Sequence, residues 1–400
     1  MSPPSTAIVS NVRIRRVLNS HLNWTYEATV ALSDGRFGRG ACPRGETRSI
    51  YEDRGTDSAA RRDAWPSIID ALVGRWFGQA SLDSVLVARR SEWGADVAYA
   101  LSTAFYEAIR CHPPAPAGAA DDATHSGKLG SRRRRPRLLF NLLNGGLHAY
   151  TNPIASDLTE ILLVSRTDDL EESIDGYRRM LAAARIALVG TPLVRVGGNL
   201  VHDLGGASNE APLALVHDLL EQEGLGGMFG LMLDASAGDW WDGHRYRPPV
   251  SGRVFDPAAL VAEWMGLLDR FELQMLEDPL AETDIAAWGA LHDARPPGTS
   301  LMGDNLTSTD PSELQRKVRL VDGVLLKPDQ NGTVTGTEAF AALARAAGIL
   351  VVASHRSIET ESLFLVHLAV ELDIDYVKVG PYSDFSSVMR TNELLRQAPS

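Results

Sequence analysis

Six times between Leu231 and Gly380, a short apolar run closes on a residue able to bind a metal or move a proton. LMLDAS reaches Asp234, QMLEDP Glu277, SLMGDN Asp304, GVLLKP Lys327, LVVASH His355 and YVKVGP Lys378. Apolar runs of four to six residues bounded by Gly, Pro or Asp predict buried parallel strands. The stretches between them predict helices, most clearly Asp256–Arg270 and Thr337–Ala347. Successive closing residues stand 43, 27, 23, 28 and 23 positions apart, about the length of a strand–helix unit. The pattern predicts an α/β fold of (β/α)-barrel type. The C-terminal strand ends of such a barrel share one mouth, where three carboxylates, two lysines and a histidine would converge.

Upstream the period changes. Ala7–Ala41 alternates in β fashion around a turn at SDGRFG, which predicts a small antiparallel sheet. From about Ser58 to Arg110 the apolar spacing, in ALVGRWF and VAYALSTAFYEAI, predicts helices. His112–Arg137 is rich in Pro, Gly, Ala and Ser and carries the run RRRR, which predicts a mobile linker. Three parts result: a capping domain over 1–111, a linker over 112–137 and a barrel over 138–400.

Composition narrows the class. A hydrophobic fraction of 44% with 22% charged residues fits a soluble globular protein. The net charge of −12 argues against a nucleic-acid partner, and RRRR without interleaved aromatics predicts a solvated linker. The two cysteines, Cys42 and Cys111, form neither a disulfide framework nor a metal-binding spacing, which suits a reducing cytoplasm. MSPPSTAIVSNVRIRR lacks the apolar core of a signal peptide, and no apolar run reaches the roughly 20 residues that span a bilayer. The expected partner is a small molecule.

Lysine usage sharpens the site. Of 39 Lys and Arg residues only four are lysines, and Lys327 and Lys378 both close barrel runs. An arginine stays protonated in a protein, whereas a lysine near cations or apolar walls can lose its proton and act as a base. Lys128 in the linker and Lys317 on a helix read as ordinary solvated charges.

With these residues in view, the chain resembles the enolase family. FNLLNGGLH, LEDPLAETDIAAW, GDNLTSTDP, LLKPDQNGTVT and SHRS followed by ETE stand in enolase order with nearly enolase spacing. The resemblance implies an N-terminal α+β capping domain, a ββαα(βα)6 barrel and a homodimer or higher homo-oligomer. It also implies conversion of 2-phosphoglycerate to phosphoenolpyruvate with one or two Mg2+. On that resemblance Asp234, Glu277 and Asp304 are the magnesium carboxylates, hard oxygen donors of the kind Mg2+ prefers. Lys327 is the base that takes the proton α to the carboxylate, and Lys378 binds that carboxylate. Arg356 and Ser357 hold the phosphoryl group, and His148 and His355 are the site histidines.

The departures bear on activity. Where enolases carry VGDEGG this chain has VHDLGG, so Leu204 replaces the glutamate that assists loss of hydroxide. His202 is a conceivable substitute or faces elsewhere. The family's second glutamate is matched by Glu160, with Asp157 as the alternative. In the lid segment CPRGETRS, Thr47 stands where a family serine ligates the second magnesium. Arg44 and Arg48 there are either solvated or seats for a more anionic substrate. Ile358 replaces a family glycine and Asn305 a family aspartate. The loss at Leu204 points to the carboxyphosphonoenolpyruvate synthase branch, with an ordinary enolase or a catalytically silent binding protein as alternatives.

Overall fold

The computed structural model describes residues 6–45, 49–52, 62–110, 135–145, 151–205, 209–382 and 384–397. Most of the expected linker, with Lys128 and Cys111, lies outside them. The strands are β1 (Ala7–Leu18), β2 (Trp24–Leu32), β3 (Phe37–Ala41), β4 (Trp76–Phe77), β5 (Arg137–Asn144), β6 (Glu160–Ser165), β7 (Leu193–Val196), β8 (Asn199–His202), β9 (Phe229–Asp234), β10 (Leu273–Glu277), β11 (Ser300–Gly303), β12 (Gly323–Leu326), β13 (Leu350–Ser354) and β14 (Tyr376–Lys378).

The first four strands form one sheet in the order β3-β2-β1-β4. Helix Ala95–Arg110 lays Val97, Leu101, Ala104 and Phe105 against this sheet, closing a separate core. One local expectation fails here. ALVGRWF does not continue as helix: Gly74 takes a left-handed φ of 77° after helix Trp65–Leu72. Only glycine adopts that conformation freely. Trp76–Phe77 then pair with Ala7–Ile8 as β4.

The remaining long strands close an eight-stranded barrel, β10-β11-β12-β13-β14-β5-β6-β9. Two helices, Leu170–Leu188 and Glu210–Gln222, follow β6, and each strand from β9 to β14 is followed by its own helix. The fold is the ββαα(βα)6 arrangement. The predicted helices Asp256–Arg270 and Thr337–Ala347 are observed as Pro257–Arg270 and Val334–Ala346. Asp256 and Thr333 cap them by accepting the N–H of Ala259 and Gly336. β6 alone runs against the others, antiparallel to both β5 and β9. Its first residue, Glu160, therefore reaches the mouth that the other strands reach with their last.

The cap is tied to that mouth through main-chain and side-chain bonds. Arg44 and Ile358 exchange backbone hydrogen bonds, and Ser20 N–H donates to the Glu359 carbonyl at 2.8 Å. Asp83 of the cap accepts both Thr335 N–H (2.8 Å) and its hydroxyl (2.7 Å) at the start of a barrel helix.

Candidate active site

Alternation along each strand fills the barrel in layers. Leu139, Leu162, Met232, Met275, Met302, Leu325, Val352 and Tyr376 form an apolar plug across the lumen. Two residues further toward the mouth on each strand stand Asn141, Glu160, Asp234, Glu277, Asp304, Lys327, Ser354 and Lys378. Adjacent registers pair Asp234 with both Glu160 and Glu277, so these carboxylates share one level.

Above this layer opens a cavity of about 310 Å³. Its walls include Glu160, Asp234, Asp304, Lys327, His355, Arg356, Ser357 and Lys378. Glu277 lies fully buried beneath, in contact with Lys378 at 3.0 Å. Lys378 also pairs with Glu160 (2.5 Å) and Asp234 (3.2 Å). Lys327 is ion-paired to Asp304. Asn141 donates to the other Glu160 oxygen at 2.6 Å, and Ser236 donates its N–H and hydroxyl to Asp234. Between the two candidate acids the geometry separates clearly. Glu160 faces the cavity, while Asp157 accepts from Val250 N–H (2.8 Å) and Ser251 N–H (2.9 Å) outside it.

The electrostatics follow from burial and imbalance. Glu160, Asp234, Glu277 and Asp304 are four carboxyl groups facing two ammonium groups, so the lysines cannot match all four in ionised form. Burial and the neighbouring Asp234 push Glu277 well above the carboxylate range. Burial disfavours ionised Glu160 and Asp304 too, but Lys378 and Lys327 respectively outweigh it and hold both below their ordinary values. Burial opposes both ammonium groups. Asp304 nevertheless raises Lys327, and Glu160, Glu277 and Asp234 raise Lys378 well above the ordinary range. Burial, with Lys378 and Arg390, drives His355 well down, so its imidazole is neutral. Its Nδ1 lies 2.7 Å from the Arg356 carbonyl, an acceptor, so Nδ1 carries the hydrogen and Nε2 is left as an acceptor. Gly380, at φ 103°, allows this packing, because a Cβ there would stand 2.9 Å from the His355 ring.

As placed, no three carboxylates or imidazoles among the described residues converge on one metal position. The Lys378 ammonium stands among three of the carboxylates and Lys327 holds the fourth. The donor chemistry still fits a hard divalent cation. The ligand candidates among the described residues are carboxyl groups, they outnumber the lysines facing them, and the buried Glu277 Oε1 has no hydrogen-bond partner among the described residues.

Other expected positions fall elsewhere. Thr47, Arg48 and His148 lie outside the described residues. Arg44 is exposed, and its neighbour Gly45 lines the cavity instead. His202 sits 2.7 Å from Thr191 Oγ1 through Nδ1 and is not part of the cavity wall, while Leu204 packs against the barrel's apolar core. Lys317 is corrected: it is buried, donating to the Leu306 carbonyl (2.6 Å) and the Tyr51 hydroxyl (3.0 Å) and pairing with Glu313 (3.0 Å). A helix-surface reading missed it because Tyr51 comes from the other domain.

Sequence reasoning also missed several supporting groups. Ser20 and His21 of the cap and Asp384 and Phe385 after β14 line the cavity. Asp278, at a strained φ of 40°, accepts the N–H groups of Asp304 (3.0 Å) and Asn305 (2.8 Å) and so fixes the turn after β11. Glu359 accepts Arg356 N–H at 2.7 Å and pairs with the buried Arg390 at 2.5 Å. The ETE run was a visible signal for Glu359; nothing local marked Arg390 or His21.

A (β/α) barrel with an inverted second strand, carrying carboxylates and lysines at one mouth, defines an enolase-superfamily enzyme. Residues 135–398 match the family model of the enolase C-terminal TIM barrel domain, and the chain belongs to that family. No helix among the described residues is long and apolar enough to cross a membrane.

Proposed function

We propose that this enzyme abstracts the proton α to the carboxylate of 2-phosphoglycerate, or of a close phosphono analogue, in a magnesium-dependent reaction. The observation that carries the reading is the gathering of four carboxyl groups around two lysines at one mouth. Asp234, Glu277 and Asp304 would hold one or two Mg2+, with Thr47 on the second. Bound magnesium supplies positive charge that stabilises an ene-diolate.

The chain's own groups account for the rest. Lys378 binds the substrate carboxylate. Lys327 takes the proton once Asp304 no longer holds its ammonium form. Arg356 and Ser357 bind the phosphoryl group, His355 offers a neutral Nε2, and Glu160 and His148 complete the proton-handling set. Leu204 can neither donate a proton nor hold a water, and general-acid help is worth about 10²–10⁴-fold. Dehydration is therefore weakened relative to proton abstraction. The most specific form of the reading is a carboxyphosphonoenolpyruvate synthase of phosphonate antibiotic biosynthesis, in which Arg44 and Arg48 meet a second, multiply charged reactant. Its setting would be a cytoplasmic homodimer.

The test is proton NMR of 2-phosphoglycerate in D2O with Mg2+. The expected result is exchange of the C2 proton with little phosphoenolpyruvate formed. Brisk phosphoenolpyruvate formation would make this an ordinary enolase. Absence of exchange, together with no stabilisation by Mg2+ and a phosphonate enolate mimic, would make the fold a silent binding protein.

A further inference from the structure

Arg356 is buried and already carries two carboxylates. Glu52 Oε2 lies 3.0 Å from Nη2, and Asp329 Oδ2 lies 3.3 Å from Nη1. One guanidinium faces two acids before any substrate arrives. A phosphoryl group approaching this fork would meet negative charge already in place and gain little.

The two acids are not equivalent. Asp329 belongs to the barrel, two residues past Lys327, and burial pushes its carboxyl up to about 7. Glu52 comes from the capping domain, and Ser49, Ile50 and Tyr51 before it are each tied to a different part of the barrel. Ser49 Oγ donates to the Asn305 carbonyl at 3.1 Å after β11, and Ile50 N–H donates to Glu282 at 3.3 Å after β10. The Tyr51 ring lies 4.2 Å from the Lys317 ammonium, which also donates to its hydroxyl. Gln330 Nε2, beyond β12, donates to Glu52 Oε1 at 3.1 Å and lies 3.4 Å from Asp304 Oδ1. The carboxylate is thus aimed at Arg356 by four barrel contacts, and one of the chain's four lysines serves that placement.

We propose that Glu52 is an intramolecular competitor for the anion position on Arg356, so that only a ligand more strongly charged than a carboxylate displaces it. The proposal deepens the reading of Arg356 as the phosphoryl-binding residue and rests on it. Glu52 would set specificity: a phosphoryl or phosphonyl dianion exchanges for Glu52, whereas a simple monocarboxylate does not. Gln330 would couple that exchange to Asp304, because its amide touches both acids.

The experiment is calorimetric titration of the whole protein, with Mg2+, by 2-phosphoglycerate and by inorganic phosphate. Wild type, Glu52→Gln, Glu52→Asp and Arg356→Gln are compared, with each variant's melting temperature checked first. Glutamine keeps the size and hydrogen-bonding capacity of Glu52 and removes its charge. Glu52→Gln is expected to bind both ligands at least about 10-fold tighter, within the usual range of coupling between sites. Glu52→Asp, which keeps the charge, should stay closer to wild type. Equal or weaker binding by Glu52→Gln, with Arg356→Gln abolishing binding, would overturn the competitor role and leave Arg356 as the anion site. Undiminished binding by Arg356→Gln would overturn both.

Discussion

Two layers of the same barrel, one alternation apart, obey opposite rules. The plug of Leu139, Leu162, Met232, Met275, Met302, Leu325, Val352 and Tyr376 is apolar and buried on every side. The layer above it is nearly as buried, with Lys327 only partly so, and mostly ionic, with four carboxyl groups to two lysines. The first layer is what the hydrophobic effect makes of a closed sheet. The second works against it, since burying a charge is costly unless it is paired. The raised pKa of Glu277 shows where that cost falls. A third cluster, only partly buried, comes closer to balance. His367 lies between Glu107 (2.8 Å) and Glu393 (3.2 Å) at the junction of cap and barrel, and Arg396 pairs with Glu393 at 3.0 Å, so two cations meet two carboxylates. At the mouth, by contrast, carboxyl groups outnumber the lysines that face them two to one.

The sharpest way to divide the layers is Lys327→Ala. It should remove C2 proton exchange, a loss of about 10²–10⁴-fold or more, in a protein that still folds although Asp304 has lost its ion pair. Lys327→Arg should be nearly as damaging, since arginine keeps the charge and loses the basicity. Surviving exchange, read by NMR in D2O, would move the base elsewhere. Next comes Met302→Ala in the plug, two residues before Asp304. It should cost about 2–5 kcal/mol in urea unfolding, with proton exchange retained by the folded fraction. A loss of exchange without a loss of stability would mean that the plug is part of the site.

Smaller effects test the charge balance. Burial alone would lower the His367 pKa, but hydrogen bonds to Glu107 and Glu393 raise it to about 9 from the ordinary 6.5. A raised histidine pKa stabilises fully below the unfolded value and loses that contribution as pH rises through the folded value. Unfolding free energy should therefore fall by roughly 2 kcal/mol between pH 6.5 and pH 9, and His367→Gln should flatten the slope. An unchanged slope would mean that another group carries it. Smallest in the metal-free protein is Glu277→Gln. Its effect on stability should stay within about 1 kcal/mol, because the amide resembles the protonated acid that burial already favours. The same change should erase the thermal stabilisation given by Mg2+. Retained stabilisation would remove Glu277 from the ligand set.

Much of this was legible in the chain because it is local. A strand end is marked by its apolar run, so Asp234, Glu277, Asp304, Lys327, His355 and Lys378 were identified with the strands that carry them. The helix expected over Asp256–Arg270 begins within a residue of its place, whereas the one expected from Thr337 begins three residues earlier, at Val334 after its cap Thr333. Glu160 was legible as the preferred match, with Asp157 left open as the alternative. The two are three residues apart, and which one faces the mouth depends on β6 running against its neighbours. Lys317 misled because its helix carries no sign of Tyr51, 266 positions away.

The sequence by itself determined the elements, their order and the chemical character of each strand end, since periodicity and composition act over a few residues. Only the tertiary structure decided which charges share a volume. Barrel closure put four carboxylates around two lysines, the inverted strand chose Glu160, and docking of the cap set Glu52 against Arg356. Those outcomes depend on Coulomb interactions and desolvation between groups far apart in the chain, whose distances exist only after folding.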